Sequence, residues 1–197
     1  MAEELKDKGY QVLATGEMGI GNTTTSSAVA AVLLGKPVED MTGRGAGLTS
    51  EGLVRKINAI KKAIALNNPD RSDAIDVLAK VGRTGYCRNW QEYSLGGAAL
   101  GMPVVMDGFI SCVSALIAIK ICPQVSDHII ASHVSKEPAA HLILKELGKE
   151  AIIHAGMCLG EGTGAVALFP MMDLSCAVYN SMSTFGDINV EQYEELK

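Results

Sequence analysis

Three short loops in this chain carry most of what can do chemistry. The first runs Thr15-Gly16-Glu17-Met18-Gly19-Ile20-Gly21-Asn22-Thr23-Thr24-Thr25. Its glycines let a ligand approach the backbone closely, and the helix start that follows offers unpaired N–H groups and the positive end of a dipole. That combination suits an anion, most naturally a phosphate. The loop is not a Walker A loop, because no Gly-Lys-Ser/Thr follows. It is not a dinucleotide fingerprint either, because Asn22 and Thr23 stand where the third glycine belongs. A tight turn whose threonines cap a helix accounts for the same residues. Glu17 weighs toward function: a carboxylate beside an anion loop suits a sugar hydroxyl or a nearby cation better than a phosphate. A surface carboxylate favoured by the helix dipole is the plainer reading.

The second loop, Thr42-Gly43-Arg44-Gly45-Ala46-Gly47, repeats the device with an arginine. Arg44 can fork onto a phosphate or carboxylate, or simply be exposed. Lys56, at the flank of the apolar stripe that follows, reads by position as solvated. The third loop, Leu159-Gly160-Glu161-Gly162-Thr163-Gly164, holds a glutamate between two glycines. If partly desolvated, such a carboxylate acquires a raised pKa and can act as a general base. A glycine-rich turn with Glu near a helix start is the alternative. His128, His133, His141 and His154 form no close ligand pair, so they are expected as core or surface residues, with no metal site. The nine methionines are scattered and read as core filler.

These loops need a frame to converge. The chain repeats one grammar: a short apolar run, a Gly-rich or polar loop, then a helical pattern. YQVLATGE leads to TTTSSAVAAVLLG, PVVMDGF to SCVSALIAIKI, DHIIASH to AAHLILKELG, and AIIHAGMC to AVALFPMMDLSCAVYN. In LVRKINAIKKAIALN, the spacing of Val54, Ile57, Ile60 and Ile64 predicts a helix with one buried face. Continuous apolar strands alternating with helices predict an α/β fold, with a mostly parallel, Rossmann-like sheet covered by helices on both faces. The ligand loops then gather at the C-terminal edge of the strands. The acidic tail VEQYEELK predicts a solvated terminal helix.

Composition bounds the function. The chain has 197 residues, 17 Lys and Arg against 22 Asp and Glu, a net charge of −5, 48% hydrophobic residues and 21 glycines. That is enough for a core and too apolar for disorder. The acidic balance and the absence of a basic run argue against nucleic acid. Polar interruptions leave no run of the roughly 20 apolar residues that a membrane span needs. The start MAEELKDKGYQV has no secretory character. Five cysteines, at 87, 112, 122, 158 and 176, form no CxxC pair. They predict free thiols in a reducing cytoplasm.

GEMGIGNTTTSSAVAAVLLG, TGRGAGL followed by EGLVRKI, PVVMDGFIS, SHVSKEPAAH and LGEGTGAVALFP resemble, in order over about residues 1 to 178, the nicotinate-nucleotide–dimethylbenzimidazole phosphoribosyltransferase family. The resemblance implies transfer of phosphoribosyl from nicotinate mononucleotide to 5,6-dimethylbenzimidazole, a step in making the lower nucleotide of cobalamin. The products are α-ribazole 5′-phosphate and nicotinate. It assigns Glu161 as the general base for the benzimidazole N–H. Glu17 and Lys56 match active-site positions, and Gly19, Asn22, Thr23, Gly43, Gly45 and Ser135 match loops around the ribose-phosphate. Gly21 and Gly160 belong to the same substrate-binding loops. It implies a cytoplasmic homodimer with no cofactor and no metal. VEDMTGRG has only a superficial likeness to the acidic-pair loop of pyrophosphate-donor phosphoribosyltransferases. No hydrophobic strand precedes its acidic pair, and the Thr-rich phosphate pattern is missing.

Two features depart from the family. GEMGIGN normally falls near the middle of a longer chain. Residues 1–197 are therefore expected as a single α/β phosphoribosyltransferase domain that lacks the family's N-terminal half and, with it, much of the acceptor pocket. At residues 83–94, RTGYCRNWQEYS replaces a smooth Gly- and Ala-rich helix. A shifted reading frame is expected there, since three single-base insertions can restore the pattern and add one residue. The competing expectation is a non-catalytic nucleotide- or phosphate-binding module, or one half of a two-chain enzyme.

Overall fold

Three apolar runs pair as a small parallel sheet in sequential order: β1 (Leu13–Ala14), β2 (Val104–Met106) and β3 (Ile129–Ala131). The computed structural model describes residues 1–82 and 86–191, with residues 86–92 described by backbone alone. The helices are α1 (Ala2–Asp7), α2 (Thr23–Leu34), α3 (Val38–Met41), α4 (Ser50–Asn67), α5 (Ala74–Val81), α6 (Tyr86–Ala99), α7 (Phe109–Ile121), α8 (Ala140–Glu146) and α9 (Thr163–Ser181). A 3-10 turn, Pro123–His128, leads into β3. Of the stretch 83–94, where a shifted frame is expected, residues 83–85 lie outside the described residues and the rest belongs to α6. The expected terminal helix also lies outside them, from residue 192 onward.

Register sorts the side chains to two faces. Leu13 pairs with Val104, which pairs with Ile129; one step on, Ala14, Val105 and Ile130 line up. Alternation along a strand sends these rows to opposite sides. Leu13, Val104, Met106, Ile129 and Ala131 join the main core with α2, α5 and α7. Val105 and Ile130 pack instead on Ala165, Leu168 and Phe169 of α9. The sheet is thus covered on both faces, as the apolar runs predict. Each fully buried aliphatic side chain stabilises the fold by about 1.5–3 kcal/mol relative to exposure. Val104, Val105, Val113, Ile117 and Leu168 are all in that state.

Two expectations about elements are corrected. The run AIIHAGMC adds no full strand, only an isolated parallel bridge from Ile153 to His133. Extension ends soon after, where Gly156 turns to a φ of 61°. On α4, Ile57, Ile60 and Ile64 face the core as expected, but Val54 is 56% exposed, and Gly52 and Lys56 are buried beside Ile60. Gly52 lets the Leu48 side chain close on the helix, and Lys56 finds oxygen partners in the interior, which Val54 has no way to use.

Candidate active site

A cavity of about 440 Å³ opens at the C-terminal edge of the sheet. Residues 17–20 and 23, 45–46, 107–111, 133, 135, 137 and 158–161 line it. Each strand end contributes, because a parallel sheet points every strand toward the same edge.

The β1 loop is held from below. The Glu17 carboxylate accepts from the Met18 N–H at 3.0 Å and from Asn22 Nδ2 at 3.2 Å, and the same amide donates to Met18 O at 3.0 Å. Asn22 is buried and braces the loop from behind; Gly21 supplies a left-handed turn at φ 80°. The threonines do not cap α2. Asn22 stands at its N-cap without a side-chain cap, and Thr25 Oγ1 donates backward to Asn22 O. The Thr23 N–H donates to Gly19 O at 3.3 Å, so the first turn of α2 has the Thr24 and Thr25 N–H groups to offer an anion.

The second loop forms the side wall. Lys56 Nζ donates to Thr23 Oγ1 and to Gly43 O, both at 3.0 Å. Lys56 is buried, which corrects its solvated reading. Burial pushes its ammonium below the ordinary lysine value, and the charge of Glu137 opposes this. Glu137 Oε1 accepts from the Gly45 N–H at 3.0 Å. A Cβ on Gly43 would stand 1.9 Å from Glu137 Oε2 and 2.7 Å from Pro138 Cδ, so a side chain there would displace the Glu137 carboxylate. Arg44 turns away from the cavity, to Leu48 O and Ser50 Oγ.

The last loop approaches β1 backbone to backbone. Gly160, Glu161 and Gly162 all have positive φ, at 78°, 59° and 84°. A non-glycine residue in this conformation is strained by about 1–2 kcal/mol. The Glu161 N–H donates to Glu17 O at 3.1 Å. A Cβ on Gly16 would stand 2.2 Å from the Gly162 nitrogen, so the two loops can approach only through glycine. Glu161 itself is exposed at the cavity mouth. The partial desolvation expected of it is absent here and would have to come from a bound acceptor.

Of the sequence-derived residues, Glu17, Gly19, Thr23, Gly45, Ser135, Gly160 and Glu161 line the cavity; Gly21, Asn22, Gly43 and Lys56 do not, Asn22 and Lys56 being buried behind it and Gly21 exposed. Sequence reading overlooked Asp107 and Glu137, and took His133 only as a core or surface residue. Asp107 is 2% exposed, and its carboxylate accepts from the N–H groups of Gly162, Gly164 and Ala165. His133 is 3% exposed, with Nδ1 at 3.1 Å from Ser132 Oγ and 3.7 Å from Asp107 Oδ1. Burial holds its imidazole below the ordinary histidine value, against the pull of Asp107. Both are polar residues at the first or second place after an apolar strand, which is the signal that could have found them. Among the described residues, no group of three or more His, Cys, Asp or Glu side chains could hold a metal. No described helix is long and apolar enough to cross a membrane.

The family model described as phosphoribosyltransferase matches residues 1–190. The chain is 50% identical over 194 residues to the nicotinate-nucleotide–dimethylbenzimidazole phosphoribosyltransferase of Ruminiclostridium cellulolyticum, and 50% identical over 195 residues to that of Clostridium acetobutylicum. The matches cover 98% and 99% of this chain and 55% of each relative. Among solved structures, CobT from Thermus thermophilus superposes with a TM-score of 0.89 at 38% identity, covering 98% of this chain and 57% of that one. The chain thus spans about half the length of the curated relatives it matches.

Proposed function

The chain belongs to the phosphoribosyltransferase family, and we propose that it takes part in transfer of phosphoribosyl from nicotinate mononucleotide to 5,6-dimethylbenzimidazole. The products are α-ribazole 5′-phosphate and nicotinate. The observation that carries this reading is the convergence of two carboxylates from glycine-rich loops, Glu17 and Glu161, on one cavity whose other wall is the start of α2.

In this reading the nucleotide lies with its phosphate toward the Gly19, Thr23, Gly45 and Ser135 backbone and hydroxyls, with Gly21, Asn22, Gly43 and Lys56 supporting them. Holding the sugar there makes the attack effectively unimolecular. Nicotinate leaves from a pyridinium, so the leaving group needs no general acid, and no pyrophosphate departs that would need a metal. Positive charge develops at C1′ as the glycosidic bond loosens. Glu17, fixed by two N–H donors, stabilises it electrostatically. Dimethylbenzimidazole attacks C1′ through one ring nitrogen, and Glu161 takes the proton from the other. Gly160 gives the acceptor close access to that carboxylate.

The reading treats residues 1–197 as one α/β phosphoribosyltransferase domain and includes a homodimer in the cytoplasm. Exposed Leu174, Val178 and Met182 support an apolar partner surface, and the free described cysteines support a reducing compartment. Gel filtration with light scattering tests the dimer. The activity is tested by nicotinate release from nicotinate mononucleotide, with and without dimethylbenzimidazole. Acceptor-dependent release supports transfer. Nucleotide binding with no release supports a binding module instead.

A further inference from the structure

The turn that carries Glu161 is strained, and something must hold it. Three successive residues sit in left-handed backbone, one of them not glycine. The link from Glu161 N–H to Glu17 O fixes only one end. The other end enters α9, a 19-residue helix. Its N-cap is Gly162, which has no side chain to cap the helix. The free N–H groups of that first turn are met by a carboxylate from a different strand end. Asp107 Oδ1 accepts from Gly164 N at 2.8 Å and Ala165 N at 3.2 Å, while Oδ2 accepts from Gly162 N at 3.2 Å.

We propose that Asp107 is a positioning residue, whose buried carboxylate clamps the first turn of α9 and thereby holds Glu161 at the cavity mouth. Both carboxylate oxygens are occupied by backbone donors, which separates Asp107 in role from Glu17 and Glu161. A charge at the positive end of a helix dipole is favoured, and charge-assisted bonds to N–H groups are among the stronger ones.

The clamp is itself supported. Ser132 Oγ donates to Met106 O at 2.7 Å, so its oxygen is left to accept from His133 Nδ1–H at 3.1 Å. The imidazole packs beside Asp107, and burial favours its neutral form. Gly164 makes room for the ring, since a Cβ there would stand 1.9 Å from Nδ1. The ends of β2 and β3 and the start of α9 are thereby locked into one buried polar cluster. The link from Asp107 to catalysis rests on reading Glu161 as the base; the clamp does not.

Asp107→Asn tests this in the full chain. The amide oxygen can still accept from Gly164 and Ala165, but its NH2 group faces the Gly162 N–H, donor against donor. Amide exchange followed by mass spectrometry is expected to speed up at least tenfold over residues 160–165, with α2 and α7 unchanged. In the transfer assay kcat is expected to fall at least 30-fold, with KM for nicotinate mononucleotide within threefold. Unchanged exchange at 160–165, or a loss carried by KM with kcat intact, overturns the proposal. Should the variant not fold, the wild-type chain decides. Gly162, Gly164 and Ala165 amides must exchange far more slowly than Thr24 and Thr25 at the start of α2, which no such carboxylate meets, and equal rates overturn the clamp. If the wild-type chain releases no nicotinate, the functional reading fails while the exchange data still judge the clamp.

Discussion

The backbone N–H of Glu161 donates to the carbonyl oxygen of Glu17 at 3.1 Å, joining two carboxylate-bearing loops from opposite ends of the chain. The bond is between main-chain atoms, so it uses neither carboxylate. Its consequence is that the geometry of each carboxylate depends on the glycines that let the loops meet.

Gly16→Ala is therefore expected to destabilise the fold. Its Cβ would stand 2.2 Å from the Gly162 nitrogen and 2.4 Å from Gly162 Cα, with no side chain able to yield. Overpacking of this kind costs about 1–3 kcal/mol. Gly19→Ala, whose Cβ would meet nothing nearer than Thr23 Cγ2 at 3.9 Å, should stay within about 0.5 kcal/mol of wild type. Urea denaturation compares the pair, and equal midpoints would sink the account of loop closure.

Lys56 is the cation on the buried stripe of α4. Lys56→Met preserves much of its length and removes both hydrogen bonds to Thr23 Oγ1 and Gly43 O. Leaving those oxygens without a donor costs about 1–3 kcal/mol of stability. The affinity for nicotinate mononucleotide should fall about tenfold, or about 1.4 kcal/mol. Calorimetric titration checks this, and an unchanged dissociation constant would remove Lys56 from the site.

Burial pushes His133 below its ordinary value of 6.5, with Asp107 opposing. The unfolded histidine thus takes up its proton at a higher pH than the folded one. The contribution to stability is complete above pH 6.5 and is lost as pH falls through the lower folded value. Urea midpoints measured from pH 8 to 5 should fall further for the wild-type chain than for His133→Gln. Parallel curves would show that His133 does not titrate as its surroundings imply.

The cysteines differ by environment. Burial, and secondarily the charge of Asp107, pushes the Cys112 thiol up to about 12. Cys158 is exposed on the cavity wall and Cys176 is exposed on α9. Iodoacetamide labelling read by mass spectrometry should modify Cys158 and Cys176 and spare Cys112. Nicotinate mononucleotide should protect Cys158 and leave Cys176 unaffected. Protection of neither would place the nucleotide elsewhere.

Much of this was legible before the fold was known. Apolar runs such as PVVM specify strands by their continuity, and glycine-bounded carboxylates announce themselves because a ligand can reach them. Glu161 was singled out for that reason, and Glu17 as a carboxylate at a strand end beside an anion loop. Lys56 was harder, because the burial of a charged side chain at the flank of an apolar stripe depends on partners from other elements, here Thr23 and Gly43. Asp107 and His133 each sit alone after a strand, and that position is their one local signal. Their meaning lies in contacts with Gly162 and Gly164, distant in sequence, and no periodicity carries that information. The short strands also hid the fourth run, where Gly156 stops the pairing that apolar residues alone suggested.

The most direct test pairs the wild-type chain with Glu161→Gln, incubated with nicotinate mononucleotide and dimethylbenzimidazole. Nicotinate and α-ribazole 5′-phosphate are quantified together by chromatography. The account predicts equimolar products from the wild-type chain, and a rate lower by about 10²–10⁴ in the variant, the range for loss of a general base. Affinity for the nucleotide should stay unchanged. Equal rates in the two proteins, or no product from a wild-type chain that binds the nucleotide, would contradict it.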